Sequence, residues 1–183
     1  VGRKALEANT TGDGNVAVGY AALDANTTAS NNIGVGSNAL GANTTGASNV
    51  AVGALALDAN TTDSYNVAIG HAALTTSDGG VGNTAVGYAA ATSLSTGDYN
   101  VALGYQALDS NTTASNNVGI GSNALGANTT GTGTAVGTSA LAANTTGTNN
   151  NAFGYQSLDA NTTGGDNSAF GQEALGGNTT GDG

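Results

Sequence analysis

A short repeat restricts this chain more than any other feature. The triplet Asn-Thr-Thr begins at Asn9, Asn26, Asn43, Asn60, Asn111, Asn128, Asn144, Asn161 and Asn178. Successive spacings are 17, 17, 17, 51, 17, 16, 17 and 17 residues, and 51 is three seventeens. Units start at Asn15, Asn32, Asn49, Asn66, Asn83, Asn100, Asn117, Gly133, Asn150 and Asn167, after a partial unit in Val1–Gly14. The unit starting at Asn117 lacks one residue. A fixed short period over residues 1–183 makes the chain a single repeat array.

The unit reads N-V-A-V-G-Y-x-A-L-D-A-N-T-T-G-x-x. Its fifth position is glycine throughout: Gly2, Gly19, Gly36, Gly53, Gly70, Gly87, Gly104, Gly121, Gly137, Gly154 and Gly171. Its fourth is apolar in every unit, and its ninth is Leu everywhere except Ala91, for which Leu94 is positioned to compensate. Thr27–Gly46 and Thr112–Gly131 differ only by the exchange of Ile33 for Val118 and Val35 for Ile120, which marks internal duplication.

Seventeen residues are too few for two helices and a turn. The N-V-A-V-G segment alternates with period two and is β-branched, so it predicts a short strand ended by a glycine corner. A-L-D-A-N-T-T is expected to form a second strand, and the Gly- and Ser-rich remainder a return turn. Two strands and two turns per unit predict an all-β parallel β-solenoid of eleven coils, about 50 Å long at about 4.8 Å per coil. The second- and fourth-position residues and the Leu rank are expected to form the core. The twelfth-position amides, Asn26, Asn43, Asn60, Asn111, Asn128, Asn144 and Asn161, are expected to form a ladder. Asp24, Asp58, Asp109 and Asp159 share the tenth position but never occupy adjacent coils, which avoids stacking like charges.

The third position is Ala or Gly in every complete unit: Ala17, Gly34, Ala51, Ala68, Ala85, Ala102, Gly119, Ala135, Ala152 and Ala169. If its neighbours face the core, this rank points away from it, and its uniform smallness reads as close packing against a second copy. Local strand geometry or recent duplication is the plainer explanation. With so slender an apolar core, association side by side about a common axis is expected.

Composition removes several functions. Arg3 and Lys4 are the only cations against 12 acids, leaving a net charge of -10 and nothing to grip nucleic-acid phosphates. No apolar run approaches a bilayer span, and there is no Cys for a disulfide or thiolate metal site. His71 is the sole histidine, at the sixth position, and reads as an exposed turn residue. With no second base, Cys or Ser elbow beside it, no catalytic residues and no cofactor are predicted. Asp13, Asp63, Asp78, Asp98, Asp166 and Asp182 occupy differing unit positions, so incidental turn sites for calcium are conceivable but no metal ladder is expected. The Asn-Thr-Thr triplets are also formal glycosylation sequons, although their fixed spacing is better explained by inter-coil bonding. Tyr88 and Tyr105 are in register and are expected to stack, either as packing or as a sugar-binding step.

The strands Asn15–Gly19, Asn49–Gly53 and Asn100–Gly104 resemble the head repeats of trimeric autotransporter adhesins, and Asn83–Tyr88 and Asn100–Thr113 resemble phage tail-fibre repeats. The resemblance implies left-handed parallel β-rolls in a homotrimer. It also implies an extracellular fibre at a cell surface or on a virion, which holds a binding tip away from that surface and meets a receptor or glycan. The array has no Met and no signal-peptide pattern, which reads as an excised segment of a longer fibre. Alternatives are a filament built end to end through uncapped coils, and an ice- or glycan-binding solenoid presenting one Thr rank.

Overall fold

The computed structural model describes all residues, 1–183. It contains ten strands: β1 (Val16–Val18), β2 (Ile33–Val35), β3 (Val50–Val52), β4 (Val67–Ile69), β5 (Thr84–Val86), β6 (Val101–Leu103), β7 (Val118–Ile120), β8 (Gly133–Val136), β9 (Asn150–Phe153) and β10 (Ser168–Phe170). They form one sheet in sequence order, each parallel to the next. Val16 lies opposite Ile33 and Val50 opposite Val67, one repeat apart; across the short unit Val118 lies opposite Thr134. The chain is therefore a parallel β-solenoid of about nine turns, with like residue above like. The leading Val1–Gly14 makes turns and no strand.

The glycine corner has a steric cause. Gly53 has φ 141°, and a Cβ there would lie 2.3 Å from the carbonyl oxygen of Gly70, directly below it in the next coil. Neither the conformation nor the approach admits a side chain.

The strands face the opposite way from the expectation. The third-position residues Ala51, Ala68, Ala85, Ala135 and Ala152 are completely buried, whereas Val16 and Val18 are 47% and 44% exposed. Ala17, Gly34, Ala102, Gly119 and Ala169 likewise point inward and are buried. These ten residues are thus core of their own chain, and the second- and fourth-position residues form its outer face. The width of the tube dictates this. A Cβ on Gly34 would stand 3.2 Å from Leu23 Cγ, and one on Gly119 would stand 3.2 Å from Leu108 Cγ. The leucine from the opposite wall fills the lumen and leaves the strand room for a methyl group or less. The core is accordingly a cluster of 26 residues, all Ala or Leu.

That opposite wall is not a second strand. In the coil Asn32–Ser48, three overlapping turns close through Ala39 N–H to Gly36 O at 3.4 Å, Gly41 N–H to Asn38 O at 3.2 Å and Asn43 N–H to Leu40 O at 3.2 Å. Asn38 and Leu40 have φ of 56° and 54°, the left-handed region required at the third residue of a type II turn. The intervening amides bond to neighbouring coils: Asn38 N–H to Tyr20 O at 2.9 Å, Leu40 N–H to Ala56 O at 3.0 Å and Ala42 N–H to Asp58 O at 3.1 Å. A left-handed Leu costs about 1–2 kcal/mol. Complete burial of its side chain returns about 1.5–3 kcal/mol, and the bonds above and below leave the backbone no alternative. In the unit from Asn83, Ala91 and Leu94 have exchanged roles: both are buried in the core, with Leu94 filling the lumen from the twelfth position.

Candidate functional site

Two internal asparagine columns brace the tube. In the twelfth position, Asn26 Nδ2 donates to Asn9 Oδ1 at 2.9 Å, Asn43 to Asn26 at 3.0 Å and Asn60 to Asn43 at 2.8 Å. The ladder then stops where Ser77 and Leu94 replace Asn. It resumes with Asn144 donating to Asn128 at 3.1 Å and Asn161 to Asn144 at 3.0 Å. Asn111 and Asn128 bond instead to the carbonyls of Ala114 and Gly131 in their own turns. At the break, Asn60 Oδ1 and Ser77 Oγ are buried without partners. All of these asparagines except the half-buried Asn9 are fully buried, so those seven sequons are closed to a glycan in the folded coil.

Sequence reading missed the second column, formed by the first-position asparagines. Asn49 is typical: its Oδ1 accepts from Asn66 N–H at 2.9 Å, and its Nδ2 donates to Asp63 O at 2.7 Å. The signal was present, because nearly every unit begins with Asn, and a residue that merely marks a turn would vary.

The outer surface carries three features. The first is the sheet face, whose fourth-position rank is apolar in every strand from Val18 to Phe170. Phe153 and Phe170 stack there at 5.0 Å with their planes 2° apart. The second is an aromatic column at the sixth-position corner. Tyr88 stacks on Tyr105 at 5.5 Å as expected, and His71 extends the stack at 5.4 Å from Tyr88. His71 is exposed in a turn. The third is a notch at the short unit, the only cavity in the molecule.

Four of the acids, Asp63, Asp78, Asp98 and Asp182, accept from backbone N–H groups of an adjacent coil. Asp98 Oδ1 accepts from Val81 N–H at 2.8 Å and Asp182 Oδ1 from Gly165 N–H at 2.7 Å, each tying a turn to the coil before it. No three acidic or histidine side chains stand where they could share a metal ion. Burial raises the Asp58 carboxyl above its ordinary value, and the charge of Asp24 raises it further. Burial also raises Asp109, against hydrogen bonds from its own and the Ser110 backbone N–H. Of the two threonines in each triplet, the first typically donates its hydroxyl to the next coil, as Thr44 does to Thr61 O at 3.0 Å. The second forms the single exposed Thr rank. No helix is long and apolar enough to cross a membrane.

Compared with family models, curated proteins and solved structures, the chain matches none. The fold itself defines the class: a parallel β-solenoid repeat protein with an amide-braced lumen and one apolar outer face.

Proposed function

We propose that this chain is a structural rod of eleven coils, counting the strandless Val1–Gly14 as the first, which packs side by side with copies of itself into a homotrimeric extracellular fibre. Its role is attachment: a segment of a surface adhesin or tail fibre that holds a binding tip away from the cell surface or virion. The observation that carries this reading is the outward apolar strip. Val16, Val18, Ile33, Ile69, Leu103 and Phe170 are between 36% and 70% exposed on one flat face. Over ten strands about 4.8 Å apart and about 10 Å wide the fourth-position rank is unbroken, and the second-position rank joins it except at Thr84, Thr134, Asn151 and Ser168, so the apolar area is below about 480 Å². A contiguous apolar patch of a few hundred Å² matches the largest patch on a typical monomer, and such patches often mark an interaction site.

A second copy is the fitting occupant. The strip is as long as the rod, so a partner of the same length and pitch covers it fully. It also lacks charged residues, so an identical acidic chain meets no repulsion across it. The narrow face suits convergence of three rods on a common axis, the arrangement implied by the resemblance to adhesin heads and tail fibres. The interface assigned from sequence to the third-position rank thus moves to the second and fourth.

The test is the mass of the native assembly by analytical ultracentrifugation. Three chains of 17.3 kDa in one elongated particle are expected. The double variant Ile69→Glu, Leu103→Glu should sediment as a folded monomer. A monomeric wild type, or a trimer indifferent to both glutamates, would overturn the proposal.

A further inference from the structure

The notch at the short unit has a precise origin in the sequence. The duplicated copies Thr27–Gly46 and Thr112–Gly131 agree almost residue for residue, then diverge at once. The first copy continues Ala47, Ser48, Asn49; the second continues Thr132, Gly133, with the seventeenth position deleted and the first-position Asn replaced by Gly. The result is a cavity of about 400 Å³ lined by Ser, Thr, Asn and Gly alone, among them Asn116, Thr132, Gly133, Thr134, Asn149 and Asn151.

The same change strands polar groups. Asn32 in the first copy donates its Nδ2 to Gly46 O at 2.8 Å. Its counterpart Asn117 is fully buried, and its Nδ2 has no partner. The Oδ1 of that same amide accepts from Gly133 N–H at 2.8 Å, so the unpaired donor lies buried behind Gly133, a lining residue of the notch. Gly133 is partly exposed, whereas the first-position asparagines of the coils on either side are fully buried, so among these three coils solvent reaches the first position only at this one. The two second-position residues lining the notch, Thr134 and Asn151, are polar, where six of the seven strands before them carry Val or Ile.

We infer that this notch is a binding site for a neutral pyranose ring of a glycan. Its lining offers amides and hydroxyls that can each donate and accept, which matches the alternating hydrogen-bond demand of sugar hydroxyls. The volume is within the range of small-ligand sites, but the absence of any apolar lining excludes the usual hydrophobic ligand. No carboxylate lines it to hold a hard cation, and a rod of net charge -10 repels acidic sugars. The site lies at the strand-entry corner, off the fourth-position rank. Thr134 and Asn151 stand on the second-position edge of the face the rods are proposed to share, so the inference rests on that edge staying open in the assembly.

The experiment is saturation-transfer NMR on the whole protein, in whatever assembly it adopts, with the methyl glycosides of glucose, galactose, mannose and N-acetylglucosamine as probes and glucuronate as the charged control. Saturable transfer to at least one neutral glycoside is expected, with none to glucuronate. Two variants remove the site by different routes. Inserting Ser after Thr132 together with Gly133→Asn rebuilds the regular coil. Thr134→Val with Asn151→Val keeps the backbone and restores the apolar second position. Each should weaken binding by about tenfold or more, while the circular dichroism spectrum stays that of the parent. A longer neutral oligosaccharide that binds more tightly than its methyl glycoside supports a surface glycan as the source; equal affinity supports a free sugar. Transfer to none of the four probes, or undiminished transfer in a folded variant, overturns the assignment.

Discussion

In the coil Asn32–Ser48, Ile33–Val35 pair with the coils above and below as an ordinary parallel strand. Gly36–Asn43 bond to the same two coils but alternate those bonds with tight turns, two of which carry a left-handed residue third. Both walls satisfy their backbones through vertical neighbours, yet they divide the work differently. The turn wall sends its largest side chain, a leucine, across the lumen, and the strand wall of the next coil receives it with a glycine or alanine, as Gly34 receives Leu23. The bulky residues of the strand are left outside, where a partner can use them. Whichever wall supplies the leucine decides which face of the strand is in.

The sharpest way to break this arrangement is at the corner joining the two walls. Gly70→Ala places a Cβ 2.2 Å from the Gly87 carbonyl oxygen at φ 134°. It should cost at least about 4 kcal/mol, measured by urea unfolding; a variant of unchanged midpoint would mean that the coils do not stack as described. Leu57→Ala empties the lumen from the turn wall and should cost about 2–5 kcal/mol. The outward Val52→Ala, measured on an unassembled chain, should stay below about 1 kcal/mol. Equal costs for the two would erase the distinction between inner and outer ranks. From the other wall, Ala68→Val overfills the lumen for a loss of about 1–3 kcal/mol, whereas Ile69→Val beside it should be close to neutral.

These contrasts also show what could be read without coordinates. The period and in-register stacking followed from spacing alone, because like residues recur every seventeen positions. The amide ladder followed from the immobility of its asparagines. The facing of the strands did not, because period two shows only that alternate residues share a side. Which side is inner depends on the reach of Leu23 from a wall seventeen residues of context cannot place. The turn wall was illegible for a related reason. Ala and Leu have no preference for positive φ, and Leu40 adopts it only because neighbouring coils fix its amide and carbonyl. The clue lay elsewhere, in Asn38 and Asn123 at the seventh position and Asn31, Asn116 and Asn149 at the seventeenth, since Asn tolerates that region better than most residues. The notch was visible only as a one-residue deficit. Its consequence for Asn117 needed the coordinates.

A smaller effect tests the amide brace. Ser77→Asn supplies the donor that Asn60 Oδ1 lacks and joins the coil to the ladder above it, so it should raise stability by about 1 kcal/mol. No gain in the urea midpoint would mean that the interrupted column is already satisfied.

The last comparison sets Asp58 against its own coil's neighbours. Gly41 has no side chain, and a Cβ there would stand 2.9 Å from Asp58 Oδ1, so the carboxylate leans over an empty position with Asp24 beyond it. Its raised value, from burial first and the Asp24 charge second, means that the folded chain holds that proton more tightly than the unfolded chain. The sign follows. The favourable contribution is complete below the ordinary carboxylate value of 3.8, and it is lost as the pH rises through the higher folded value. At neutral pH the charged, part-buried group therefore opposes folding. Asp58→Asn should raise the melting temperature at pH 7 and leave it unchanged at pH 3. Asp24→Asn relieves only the lesser cause, so its gain at pH 7 should be the smaller of the two. An Asp58→Asn gain that persists undiminished at pH 3 would assign the effect to packing over Gly41 and not to charge.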